Sequence, residues 1–227
     1  MLLTIEKILT EPDLDWFNTA LQKASWEDGA ASAGALAKQV KNNHQIQDNT
    51  ELAKQMRQLV LQRLNDSSKF VASVLPNVIF PPKFNRYGVG ETYGTHVDSA
   101  VMWNVELGKR MRCDVSATLF LSDADQYEGG ELEIETHYGV QSVKLNAGDL
   151  VVYPSSSLHQ VKPVLQGTRY ACFFWVQSIV QDLVVRENLF ELDQSIQMLR
   201  QQGKATAPLV LRLTGVYHNL LRNACTL

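Results

Sequence analysis

The stretch "NRYGVGETYGTHVDSA", residues 85–100, places His96 and Asp98 two positions apart behind a run of glycines and tyrosines. On an extended strand, side chains at i and i+2 leave the same face, so an imidazole and a carboxylate there can converge on one metal ion. A third ligand must come from His44, His137, His159 or His218. His159 is the best placed, because it follows "AGDLVVYPSSSL", an apolar strand closed by Pro154 and three serines, and opens the next strand candidate. Two imidazoles and one carboxylate suit octahedral Fe(II) and leave three positions for exchangeable ligands. A closed four-ligand site would only brace a fold, whereas an open one can hold a chelating molecule and then dioxygen.

Arg169 lies ten residues after His159, inside the apolar run "TRYACFFWVQ". A guanidinium does not readily lose its charge on burial, so at such a position it calls for a carboxylate and can grip one bidentately. A small diacid could meet Arg169 with one end and the iron with the other. His96, Asp98, His159 and Arg169 together describe a site for Fe(II) and 2-oxoglutarate.

The elements that must hold these residues fall into three stretches. Residues 11–25 and 50–65 carry apolar positions at helical spacing, and the segment between them, "WEDGAASAGALAKQVKNNHQI", reads as a polar, small-residue connection. From about residue 77 come eight short strand candidates, "NVIF", "PKFNRY", "DVSATLFL", "GELEIET", "QSVKLN", "DLVVYP", "HQVKPV" and "TRYACFFWVQ", the signature of a sandwich or jelly roll. Beyond residue 180 the helical pattern returns, interrupted by "GKATAP". The expected class is α+β: an N-terminal helical support over 1–76, a jelly-roll core over 77–178, and a C-terminal helical extension over 179–227 that packs on the core or pairs two subunits as a homodimer.

Composition narrows the partners. A net charge of -3 with no stripe of Lys and Arg argues against a nucleic-acid backbone. No run approaches the roughly 18 apolar residues of a membrane span, and the start "MLLTIEKILTEPDLDWF" lacks a basic stretch followed by an apolar one. Cys113, Cys172 and Cys225 are odd in number and far apart, which fits a reducing cytoplasm and gives no disulfide framework. No CxxC or Cys/His cluster suggests zinc.

The motifs "THVD" at 95–98, "YEGGELEI" at 127–134, "AGDLVVYPSSSLHQV" at 147–161 and "GTRYACFFWVQS" at 167–178 resemble the Fe(II)- and 2-oxoglutarate-dependent dioxygenases. Within them the likeness is to the prolyl-4-hydroxylase-like group of PKHD-type hydroxylases, and "AKQVKNNHQI" and "LFELDQSIQML" resemble that group's flanks. The resemblance implies a double-stranded beta-helix with iron on His96, Asp98 and His159. It implies Arg169 on the distal carboxylate of 2-oxoglutarate, Tyr87 assisting that grip, and Tyr93 and Trp175 lining the pocket. The implied reaction hydroxylates a C–H bond of a small-molecule or peptide substrate with dioxygen, releasing succinate and carbon dioxide, with L-ascorbate as the reductant that restores Fe(II). Collagen-type prolyl hydroxylases commonly clamp with lysine, so Arg169 sets this chain on another branch. The rival reading is a cupin-like metal or small-acid binding protein without turnover.

The remaining candidates have plainer readings. His137 in "ETHYGVQ" reads as a hairpin turn, His44 and His218 as surface, and the cysteines as small apolar fillers. Gly88, Gly90 and Gly94 lack both the spacing and the Lys-Ser or Lys-Thr of a phosphate loop, and suit a segment that bends across a pocket.

Overall fold

In "VSATLF" the apolar residues Val115, Ala117 and Leu119 alternate with Ser116, Thr118 and Phe120, and the two sets face different layers of the fold. The computed structural model describes residues 1–32, 37–203 and 206–226. The N-terminal elements are β1 (Leu3–Ile5), α1 (Glu11–Lys23), β2 (Trp26–Asp28), β3 (Lys41–Asn42), β4 (His44–Ile46), α2 (Glu51–Asp66) and α3 (Ser68–Val74). Strands then dominate: β5 (Pro76–Ile79), β6 (Lys83–Tyr87), β7 (Thr92–His96), β8 (Val101–Asn104), β9 (Lys109–Arg112), β10 (Val115–Phe120), β11 (Tyr127–Gly129) and β12 (Leu132–Thr136). They continue with β13 (Gly139–Val143), β14 (Leu150–Pro154), β15 (His159–Val161), β16 (Val164–Gly167) and β17 (Arg169–Ser178), before α4 (Leu183–Gln201) and α5 (Ala207–Ala224).

The larger sheet has the order β1-β14-β10-β17-β6-β4-β2, with β5 also paired to β17, and the smaller has β13-β12-β15-β7-β3. One face of the larger sheet presents Phe84, Leu119, Leu150, Cys172 and Phe174 to Phe17, Met56, Val60, Leu64 and Phe70 from the helices, and this is the main core. Its other face presents Tyr87, Phe120, Val151 and Tyr153 to Leu132, Ile134 and Val161 of the smaller sheet. α4 and α5 pack beside α3 around Leu75, Val180 and Leu189.

The closed double-stranded beta-helix or jelly roll expected from the sequence is not what forms. The larger sheet ends at β1 and β2, the smaller at β13 and β3, and among the described residues no hydrogen-bonded ladder joins one sheet to the other. The molecule is an α+β fold of two open sheets. The edges are taken by N-terminal strands, which the polar composition of "WEDGAASAGALAKQVKNNHQI" had concealed: that segment supplies β2, β3 and β4. With Asn43 alone between β3 and β4, the chain steps from the smaller sheet to the larger, strapping them together without a ladder. The β8–β9 hairpin was also unforeseen, because Glu106, Lys109, Arg110 and Arg112 mask its alternation.

The helices follow their end signals closely. Thr10 caps α1: its hydroxyl accepts from the Asp13 amide, and the Asp13 carboxylate accepts from the Thr10 amide at 2.9 Å and its hydroxyl at 2.7 Å. Asp13 also takes both arms of Arg63 on α2, at 2.8 and 2.9 Å, coupling cap to helix packing. The hydrogen bonds from Arg63, aided by Thr10 and opposed by burial, hold the Asp13 carboxyl down from 3.8 to about 2. A depressed carboxylate stabilises the fold above its unfolded pKa and loses that contribution as pH falls through its folded value. Asp13→Ala is therefore expected to cost about 2 kcal/mol at neutral pH. In urea unfolding the difference from the native chain should shrink as the pH is lowered from 4 toward about 2.

Candidate functional site

A cavity of about 470 Å³ lies between the two sheets, and its wall includes His96, Asp98, His159, Arg169, Tyr87, Tyr93 and Trp175. All seven residues singled out in the sequence therefore meet in one space. His96 is the last residue of β7, and Asp98 stands in the loop beyond it rather than on the strand itself. His159 opens β15 and is the direct cross-strand partner of His96, so antiparallel pairing brings together positions 63 residues apart.

The three ligand atoms lie within 4.8 Å of one another. His96 Nε2 is 4.0 Å from one Asp98 oxygen and His159 Nε2 is 3.7 Å from the other. Each imidazole has its Nδ1 against a backbone carbonyl, His96 on Gly94 at 2.8 Å and His159 on Ser157 at 3.0 Å. A carbonyl can only accept, so Nδ1 carries the proton and the Nε2 lone pair faces Asp98 in both rings. Burial, then the neighbouring His159, pushes the His96 pKa down to about 4, keeping the ring neutral as a metal ligand must be. Ser116 donates to Asp98 Oδ2 at 2.6 Å and lies 2.8 Å from the Ser155 hydroxyl, which orients the carboxylate. The donor set fits a divalent iron with open positions: two neutral nitrogens and one carboxylate, all facing the same cavity.

Arg169, the first residue of β17, is 1% exposed. Its guanidinium sits between two rings, 5.4 Å from the centre of Tyr87 and 5.2 Å from that of Phe120, and its Nε has no hydrogen-bond partner. No carboxylate pairs with it among the described residues. A buried cation without an anion is costly, so the position suits an acidic ligand entering the cavity. Tyr87 is its cross-strand partner, and burial raises that hydroxyl to about 12, which keeps it a neutral donor. Tyr93 stacks on His96 with ring centres 3.6 Å apart, and Trp175 packs edge-on against Phe80 and Phe173.

The plainer readings also find their places. His137 is exposed in the β12–β13 turn, His218 is exposed on α5, and Cys113 and Cys172 are buried. His44 is not a loose surface group: it lies on β4 with Nδ1 2.9 Å from Glu91, whose other oxygen accepts from the Gly88 amide at 2.8 Å. That pair holds the glycine loop in place.

Several site residues escaped sequence reading. Ser116 could have been found from its alternation with Val115 and Ala117, but Lys41 and Lys83 carry no such signal. Tyr127 was hidden inside "YEGGELEI"; its buried hydroxyl interacts with Arg169.

The model for the 2OG-Fe(II) oxygenase superfamily matches residues 82–177, and that for the PKHD-type hydroxylase C-terminal domain matches residues 185–224. A PKHD-type hydroxylase of Acidovorax ebreus (strain TPSY) is 53% identical, with 98% of each chain covered, and one of Teredinibacter turnerae is 52% identical over the same shares. The chain belongs to the PKHD-type hydroxylases. It is an Fe(II)- and 2-oxoglutarate-dependent dioxygenase, and the rival of a binding protein without turnover falls away. Solved structures extend the likeness in fold alone. A Pseudomonas putida prolyl-4-hydroxylase has a TM-score of 0.51 at 18% identity, covering 78% of this chain and 92% of that one. HygX from Streptomyces hygroscopicus has 0.54 at 14%, covering 78% and 82%.

Ser116→Ala removes the donor that orients Asp98, and its expected effect is about a tenfold loss of Mn(II) affinity by anaerobic calorimetric titration, with the circular dichroism spectrum retained.

Proposed function

We propose that His96, Asp98 and His159 hold the Fe(II) of this hydroxylase, and that Arg169 receives the distal carboxylate of 2-oxoglutarate, with Tyr87 as a second donor and Tyr93 and Trp175 as pocket walls. The observation that carries this reading is the buried Arg169 guanidinium, without a carboxylate among the described residues, in the same cavity as the three ligands. When bound, Fe(II) and 2-oxoglutarate supply the oxidative decarboxylation that activates dioxygen. The chain's own part is to keep both imidazoles neutral with Nε2 inward, to orient Asp98 through Ser116, and to supply the positive charge that aligns the cosubstrate.

The residues over 77–178 form the catalytic unit in this reading, with 1–76 as support and 179–227 as an extension that pairs subunits. L-ascorbate restores Fe(II) after turnover without substrate. The three free cysteines suit a cytoplasmic setting, and among the described residues no helix is long and apolar enough to cross a membrane. The substrate is a small molecule or a peptide.

The deciding experiment is an anaerobic absorbance titration of the Fe(II)-loaded protein with 2-oxoglutarate. A visible charge-transfer band is expected for the native chain and none for His159→Ala. Arg169→Ala should weaken 2-oxoglutarate by about 3 kcal/mol, roughly a hundredfold. No band in folded, iron-loaded native protein would overturn the reading. Gly130 offers a separate check, because a Cβ there would sit 3.2 Å from Arg169 Cδ and 3.0 Å from Tyr127 and Val164, at a φ of +65°. Gly130→Ala should push the guanidinium aside and weaken 2-oxoglutarate about tenfold while leaving metal affinity unchanged.

A further inference from the structure

Two lysines share the cavity wall with the iron and cosubstrate groups, and nothing in the preceding reading uses them. Lys41 on β3 is 9% exposed, with Nζ 5.1 Å from the centre of the Tyr93 ring and 5.8 Å from that of Phe173. Lys83 on β6 is the direct cross-strand partner of Phe173 and is ion-paired to Asp48, which also takes Arg57. Both lysines thus flank Phe173. Burial first, and then the charge of Lys83, lowers the Lys41 pKa to about 8, with Asp98 and Asp28 acting in the opposite sense.

Phe173 is four residues along β17 from Arg169, a rise of roughly 13 Å at ordinary strand geometry. The anion gripped by Arg169 therefore does not also have to meet the lysines. Charge points the same way: a divalent iron, Asp98, Arg169 and a doubly charged 2-oxoglutarate cancel one another, and the lining keeps the positive charge of its lysines. The walls at this level are otherwise apolar, made by Phe173, Met102 and Trp175. Ammonium groups set on aromatic faces, nine-tenths buried in the case of Lys41, favour an anion that brings its own apolar surface to exclude water.

We propose that Lys41, with Lys83 beside it, binds the anionic group of the primary substrate, a small organic carboxylate whose apolar body lies against Phe173, Met102 and Trp175. The proposal rests on the assignment of the iron and 2-oxoglutarate positions made above. It explains why a lysine from β3, far in sequence from the ligands, reaches the reaction space: it fixes one end of the substrate and so sets which C–H bond faces the metal.

The test uses the full chain loaded anaerobically with Fe(II) and 2-oxoglutarate. Its visible band reports the chelate, and tryptophan fluorescence independently reports occupation beside Trp175. 3-Phenylpropanoate and its uncharged amide are titrated as probes. The acid should bind the native protein at least about tenfold more tightly than the amide. Lys41→Met should abolish that preference, Lys41→Arg should restore most of it, and both variants should titrate with 2-oxoglutarate as the native chain does, which also shows that they fold. Equal affinity for acid and amide, no binding of the acid, or an unchanged preference in Lys41→Met would overturn the proposal. So would a parallel loss of 2-oxoglutarate affinity, which would make Lys41 a cosubstrate contact. A Lys41-dependent preference for the acid without any chelate band would overturn the 2-oxoglutarate assignment and leave an anion site at Lys41.

Discussion

A permanent positive charge at the bottom of a water-poor cavity constrains everything around it. Arg169 cannot escape its charge by deprotonation, and at 1% exposure it cannot reach bulk water either. The fold makes the position tolerable with the faces of Tyr87 and Phe120, but aromatic quadrupoles offset only part of a desolvated cation's cost. The remainder is left for an acidic ligand. Stability has been given up locally so that a carboxylate is held where it binds, and the glycine at 130 is part of that arrangement because any larger residue would crowd the arginine stem.

The charge stays in place because the larger sheet has two different faces. Along β17, Cys172, Phe174 and Val176 belong to the core beneath the helices, while Arg169 and Phe173 reach the cavity and Trp175 joins them. A slip of one residue would send Arg169 into the helix core, so the dense packing on one face pins the register on the other. Ser116 on β10 obeys the same rule: Val115 and Ala117 lock the strand, and the serine between them is delivered to Asp98. Apolar burial on the far side of the sheet thus decides polar geometry on the near side.

Legibility in the sequence follows from how local each signal is. The helices were readable because their caps and apolar spacing are contiguous, with Thr10 and Asp13 before α1 and Thr50 before α2. The cluster of His96, Asp98, His159 and Arg169 was readable because residue types and spacing carry the chemistry themselves. Sheet closure was not. Whether strands curl into a barrel depends on pairing between remote edges, and here those edges are held by β1, β2 and β3, strands of two or three residues whose composition gives no alternation to detect. Lys41 was hidden for the same reason: it stands in a two-residue strand within a polar stretch, and only its pairing with Tyr93 turns it toward the iron ligands.

The polar stretch before α2 is therefore more than a connection. β3 lies on the edge of the smaller sheet beside Tyr93, Asn43 makes the crossing, and β4 joins the larger sheet beside β6, the strand that carries Lys83, Asn85 and Tyr87. Two open sheets have no ladder to fix the width of the space between them, and this strap supplies a covalent limit instead. The His44–Glu91 pair then ties the strap to the glycine loop that leads from Tyr87 to Tyr93. The loop's two ends are the Arg169 neighbour on one sheet and the His96 neighbour on the other. The cosubstrate end and the metal end of the cavity are thus held at a set separation by a segment that touches neither the metal ligands nor Arg169 directly, and whose sequence reads as an unremarkable polar linker.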